Sequence, residues 1–150
     1  VGVYNGGLYE YNVDRGSAPA YGSHCRYYGV KTRKNGYTRS ATGSTRGEGI
    51  GLVGYNSEDN SNGTSVECHD CVDEGSHFGF ANHGTDSSNG QVSSMKIYNC
   101  TSLDSRFAAY SVSGGASMHA TDCRELGAEN LVKSEQGGGR IITRNTNLLT

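Results

Sequence analysis

The chain has 150 residues, which suits one domain, with 23 Gly, one Pro, ten Tyr and no Trp. Only 33% of residues are hydrophobic, and the net charge of −2 comes from scattered charges of both signs. This argues against a helical bundle rich in Leu, Ala, Glu and Lys, and against the clustered Lys and Arg of a nucleic-acid footprint.

Residues 1–37 contain "VGVYNGGLYEYNV" and "YGSHCRYYGV", in which apolar and aromatic positions alternate. These are expected to be early coils or a segment covering the edge of the body at 38–150. Tyr4, Tyr9, Tyr11, Tyr21, Tyr27 and Tyr28 crowd here. Strand packing is the first reading of these rings and stacking on sugar the second. The chain starts at Val1 without Met and stops at "NTNLLT" in mid-pattern, as a piece of a longer protein would. No apolar run reaches the roughly 20 residues needed to cross a membrane as a helix, and no signal peptide is evident.

Further along, the chain repeats. "VECHDC" (66–71), "MKIYNC" (95–100), "MHATDC" (118–123) and "IITRNT" (141–146) share one form. That form is apolar, any residue, small or apolar, any residue, Asp or Asn, then Cys or Thr. The units start at Val66, Met95, Met118 and Ile141, so the last two steps are equal and the first is slightly longer. A second series, "FGF" (78–80), "FAA" (107–109) and "NLV" (130–132), follows the first three starts at one constant offset. Counting back by that offset from "IGL" (50–52) predicts a degenerate earlier unit, "TRSATG" (38–43). Stretches such as "DNSNG" (59–63) and "DSSNG" (86–90) close the turns. "GEGIGLVG" (47–54) lacks the strand–loop–helix setting and the Lys-Ser/Thr of a phosphate loop, so its glycines fit coil bends.

Each unit offers two short strands, too far apart for a tight hairpin and without a helical stretch between them. Coils of about 23–29 residues that return like side chains to like places predict an all-β parallel solenoid, a β-helix. Cys71, Cys100, Cys123 and Thr146 then stack as small inward residues, and Asp70, Asn99, Asp122 and Asn145 form a polar ladder at a bend. Cys68 faces inward and His69 outward. Five Cys cannot all pair within one chain, and buried free thiols are the expectation. A zinc site would need a second ligand pair beside Cys68 and Cys71.

In coil length, Gly-closed turns, Asn/Asp ladder and apolar-x-apolar strands, residues 38–146 resemble the right-handed parallel β-helix proteins of the pectin-lyase-like group. Within it the Asn/Ser/Gly-rich texture and unpaired Cys look most like phage tailspikes and related polysaccharide depolymerases. The resemblance implies a polysaccharide partner, homotrimeric assembly, and a virion or extracellular setting. It carries no signature motif and assigns no residue.

Charge collects in the linker between the two strands of each unit, "VDEGSH" (72–77) and "TSLDSR" (101–106) among them. Glu74 lies one coil from Asp104 and one position out of register. A glycoside hydrolase needs a protonated carboxyl for the leaving group and an ionised carboxylate to attack the sugar or activate water. Glu74 is the candidate acid and Asp104 or Asp73 the candidate base. Arg46, His77 and Arg106 are candidates to hold substrate acid groups or hydroxyls. A polysaccharide lyase is the second enzymatic reading, with calcium on Asp73, Glu74 and Asp104. The alternative is a non-catalytic structural or adhesive module.

Overall fold

The computed structural model describes residues 2–11, 24–35, 48–53, 65–83, 93–113, 116–134 and 139–148. In chain order the strands are β1 (Gly2–Asn5), β2 (Leu8–Glu10), β3 (His24–Tyr28), β4 (Lys31–Arg33), β5 (Glu48–Val53), β6 (Ser65–His69), β7 (Val72–Glu74), β8 (Phe78–His83), β9 (Ser94–Tyr98), β10 (Thr101–Leu103), β11 (Ala108–Ser113), β12 (Ser117–Thr121), β13 (Arg124–Leu126), β14 (Asn130–Ser134), β15 (Arg140–Arg144) and β16 (Asn147–Leu148). They form three sheets: β1-β3-β6-β9-β12-β15, β2-β4-β7-β10-β13-β16 and β5-β8-β11-β14. Every pairing is parallel, and each strand pairs with its equivalents in neighbouring coils. The fold is therefore an all-β parallel solenoid, as the repeat predicts.

Three details differ from the sequence reading. Full coils carry three strands, because the linker in each unit contains a three-residue strand of the second sheet. Such strands turn one residue inward, too few for a periodic signal. The coil below Val66 begins at Cys25, which pairs in register with Val66, making this coil longer than those that follow it. The proposed unit at Thr38 lies outside the described residues. The second series is also offset, since Phe78 pairs with Ala108 rather than Phe107, and Ile50 with Phe80.

The first sheet alternates cleanly. Its second and fourth positions face inward, giving the buried columns Cys25–Val66–Met95–Met118 and Tyr27–Cys68–Ile97–Ala120. Opposite them, Phe80 and Tyr110 stack at 6.1 Å, and the Tyr110 hydroxyl reaches across the core to the Arg124 carbonyl at 3.1 Å. Burying each large apolar side chain here contributes about 1.5–3 kcal/mol. Gly79 leaves space in this core. A Cβ there would collide with Ser102 Oγ and lie 2.8 Å from the Ala109 carbonyl.

The first bend explains the Asp/Asn ladder. Gly6, Gly29, Asp70, Asn99, Asp122 and Asn145 all take left-handed backbone, with φ between 46° and 67°. Gly, Asn and Asp tolerate that region best. From Gly6 through Asp122, each donates its amide to a carbonyl in the next coil, as Asp70 does to Tyr98 at 3.1 Å. Asn99 Nδ2 also donates to Asp70 Oδ1 at 2.6 Å. Just past the bend, Cys71, Cys100 and Cys123 point inward. Each thiol shares its single proton between the carbonyl two residues before it, at 3.3 Å, and one in the preceding coil, at 3.6–3.7 Å. Thr146 makes the same pair of bonds with its hydroxyl, to Arg144 and Ala120. All five cysteines are free and buried, so the C-x-x-C pair belongs to the interior.

Candidate functional site

The second sheet positions most of the expected site. In β4, β7, β10 and β13 the middle residue is buried and its two neighbours turn outward, exposed or half-buried. Glu74 is the third residue of β7 and is exposed, in register with Arg33 on one side and Leu103 on the other. Asp104 follows Leu103 at a second left-handed bend shared with Tyr11, Lys34, Gly75 and Gly127. Glu74 and Asp104 thus sit on neighbouring coils, about 4.8 Å apart along the axis, one residue out of register. Asp104 is exposed, and its Oδ1 leans over Gly127 on the far side from Glu74, where a Cβ would collide with it.

Around these carboxylates the same corner gathers Glu10, Tyr11, Arg33 and Lys34. Arg33 pairs with Glu10, and that contact raises the guanidinium pKa. The Arg33 and Lys34 cations lie 5.7 and 5.8 Å from the centroid of the exposed Tyr11 ring. None of these four was named from sequence as part of the corner. The long coil between Cys25 and Val66 separates them from Glu74 in the chain while stacking them beside it.

Asp73 does not join Glu74. As the middle residue of β7 it turns inward and is fully buried. Its Oδ1 accepts hydrogen bonds from Thr32 Oγ1 and Ser76 Oγ, each at 2.6 Å, while Oδ2 has no partner. Burial pushes its pKa up to about 7 against the pull of the two hydroxyls. A side chain held there cannot meet a polymer on the surface. Ser102 and Glu125 occupy the same buried column in the next two coils. Ser102 Oγ contacts Ser105 Oγ at 2.6 Å, and Glu125 Oε1 accepts from the Ala128 amide at 2.6 Å.

His77 is also withdrawn. Its ring is buried, stacked on Phe107 at 5.0 Å and edge-on to Phe78 at 4.9 Å. Arg106 is exposed one coil further on, and its amide donates to the Ser76 carbonyl at 2.9 Å. Arg46 lies outside the described residues. Of the six expected site residues, Glu74, Asp104 and Arg106 are thus at the surface of this corner.

Because Asp73 and Glu74 point to opposite faces of β7, the three carboxylates considered for calcium do not converge. Among the described residues no three His, Cys, Asp or Glu side chains form a group suited to a metal ion. Burial pushes the Cys68 thiol pKa well above its ordinary value, which keeps it protonated inside the core.

A second polar surface lies on the outer face of the first sheet. Tyr28, His69 and Tyr98 stack ring on ring at 4.9 Å along the axis. Their faces cover one another, so the His69 ring has no free face for a sugar. Beside them a groove of about 380 Å³ is lined by His24, Arg26, Ser65, Glu67, Ser94 and Lys96, with Cys25 and Val66 also in its wall.

No protein-family model, curated protein or solved structure matches this chain. No helix of the described residues is long and apolar enough to cross a membrane.

Proposed function

We propose that this solenoid binds an extended polysaccharide across its second-sheet corner and cleaves it with Glu74 as acid and Asp104 as base. The observation that supports the reading is the placement of two exposed carboxylates on neighbouring coils, flanked by Arg33, Lys34 and an exposed aromatic ring, Tyr11. Stacked coils offer a glycan a long surface on which several sugars are held at once. The cations meet acid groups or hydroxyls, and Tyr11 offers an apolar ring to a sugar face. A lyase form of this reading would draw on the cations of the corner, since its carboxylates do not converge on a calcium ion. A tailspike-like virion or other extracellular setting, with three copies assembled, is the context proposed for it.

The non-catalytic alternative, a structural or adhesive module, draws support from Asp73 and His77. Their burial leaves the corner with fewer reactive groups than the sequence offered.

One experiment separates the readings. The protein is incubated with a panel of bacterial surface polysaccharides while new reducing ends and ultraviolet absorbance from unsaturated sugars are followed together. Reducing ends without absorbance are expected, and Glu74→Gln should abolish them while leaving melting and glycan binding nearly unchanged. Both signals together would replace hydrolysis by β-elimination. Binding without either signal would establish the adhesive reading.

A further inference from the structure

The outer face of the first sheet has a charge balance opposite to that of the whole chain. Among its described outward residues are Arg26, Lys96, Arg140 and Arg144, with Glu67 as the one carboxylate. The chain as a whole carries a net charge of −2. Register places these groups in columns along the axis. Arg26, Glu67, Lys96 and His119 form one, and His24, Ser65, Ser94, Ser117 and Arg140 form its neighbour. The groove of about 380 Å³ follows these two columns, and its volume falls in the ordinary range for small-ligand sites.

Inside the groove the single carboxylate is already engaged. Glu67 Oε2 lies 3.7 Å from Arg26 Nε, and Glu67 Oε1 lies 2.7 Å from His69 Nε2. Lys96 stands beside Glu67 in register, yet makes no ion pair with a described residue. His24 Nδ1 contacts Ser65 Oγ at 2.7 Å, which fixes both side chains at the rim. An ammonium with no ion pair among the described residues, a guanidinium with donors to spare and two serine hydroxyls therefore line one concavity, beside the engaged Glu67. That donor set, without a competing free carboxylate, suits an oxyanion.

We propose that this groove, with the basic strip that continues it toward Arg140 and Arg144, binds the acid groups of an extended acidic polysaccharide. The proposal rests on reading the chain as a glycan-handling solenoid, and it adds a second face and the class of glycan. Arg26 and Lys96 are two coils apart, about 10 Å, with Glu67 between them held by Arg26 and His69, so a polymer lying along the axis meets two cations at that spacing. Duplex nucleic acid fits less well. Its binding rests on many phosphate contacts, commonly about 6–10, and four described cations on an otherwise acidic chain do not supply them.

The test uses three polymers on one backbone: carboxymethyl-dextran, dextran sulfate and unmodified dextran. Binding to the intact chain is measured by calorimetry at low and moderate salt. Both acidic polymers should bind, unmodified dextran about tenfold more weakly or not at all, and affinity should fall with salt. Lys96→Gln should weaken acidic-polymer binding by about fivefold or more. Lys31→Gln, which removes the same charge from the second sheet, should change it less than about twofold. Glu74→Gln should leave this binding intact, so the groove and the cleavage site fail independently. The proposal is overturned if neutral dextran binds equally well or no polymer binds. It is also overturned if duplex DNA binds more tightly than either acidic dextran, or if Lys96→Gln and Lys31→Gln lose affinity alike.

Discussion

Asp73→Asn should make the protein more stable above neutral pH and no more stable in acid. In the folded chain Asp73 sits fully buried with Oδ2 unpartnered, and burial lifts its pKa from 3.8 to about 7. Between those values the folded state holds a proton that the unfolded chain has released. Folding stability from this group therefore falls as pH rises through the window. Below about pH 3 both states are protonated and the charge carries no cost. Above about pH 7 the full cost of the buried charge applies. At about 1.36 kcal/mol per pH unit, the distance from 3.8 to about 7 corresponds to about 4 kcal/mol. Asn keeps an oxygen for Thr32 and Ser76 but buries an NH2 without a partner, at a pH-independent cost of about 1–3 kcal/mol. Urea unfolding of both proteins at pH 4.5, 6 and 8 isolates the effect, because every other titration cancels in the difference. The variant should be no more stable than wild type at pH 4.5 and should gain about 3 kcal/mol relative to it by pH 8, the first part of the window lying below pH 4.5. A difference that stays flat within about 0.5 kcal/mol across that range would refute the burial of an ionisable Asp73.

The bend column gives a second prediction. Asn99 holds left-handed backbone at φ 50°, so Asn99→Gly should shift stability by less than about 1 kcal/mol, whereas Asn99→Val should cost about 1–2 kcal/mol or more. Thermal melts compare them, and equal losses would count against the bend geometry. The thiols give a third. All five cysteines are buried, so a thiol reagent should label native protein slowly and take up five equivalents once urea unfolds it. Rapid native labelling at Cys71 or Cys100 would place that column outside the core. A metal bound stoichiometrically by the purified protein would likewise revive a thiolate site.

The solenoid was legible because its first bend is filled from a short list of residues. Left-handed backbone restricts that position largely to Asn, Asp and Gly, so Asp70, Asn99, Asp122 and Asn145 recur in the sequence. The thiol column recurs because one narrow inward site admits only small side chains. Allowing Gly at the ladder position also brings in "GVYNGG" (2–7) and "CRYYGV" (25–30), whose Gly6 and Gly29 hold the same backbone. A pattern restricted to Asp and Asn passes over both.

The direction and company of each charge were decided by tertiary structure. Asp73 and Glu74 are adjacent acids in one linker, yet pleating buries the first and exposes the second. Nothing local marks a three-residue strand, so both read as turn charges. His77 looks like a surface histidine until Phe78 and Phe107 close around it. Arg26, Glu67 and Lys96 each lie a full coil apart in the chain and become neighbours through registers that no local pattern specifies. The sequence by itself determined a stack of coils with its bends and inward columns, because steric limits act residue by residue. Which side chains meet across coils depends on the length of each intervening loop, and that became visible once the strands were paired.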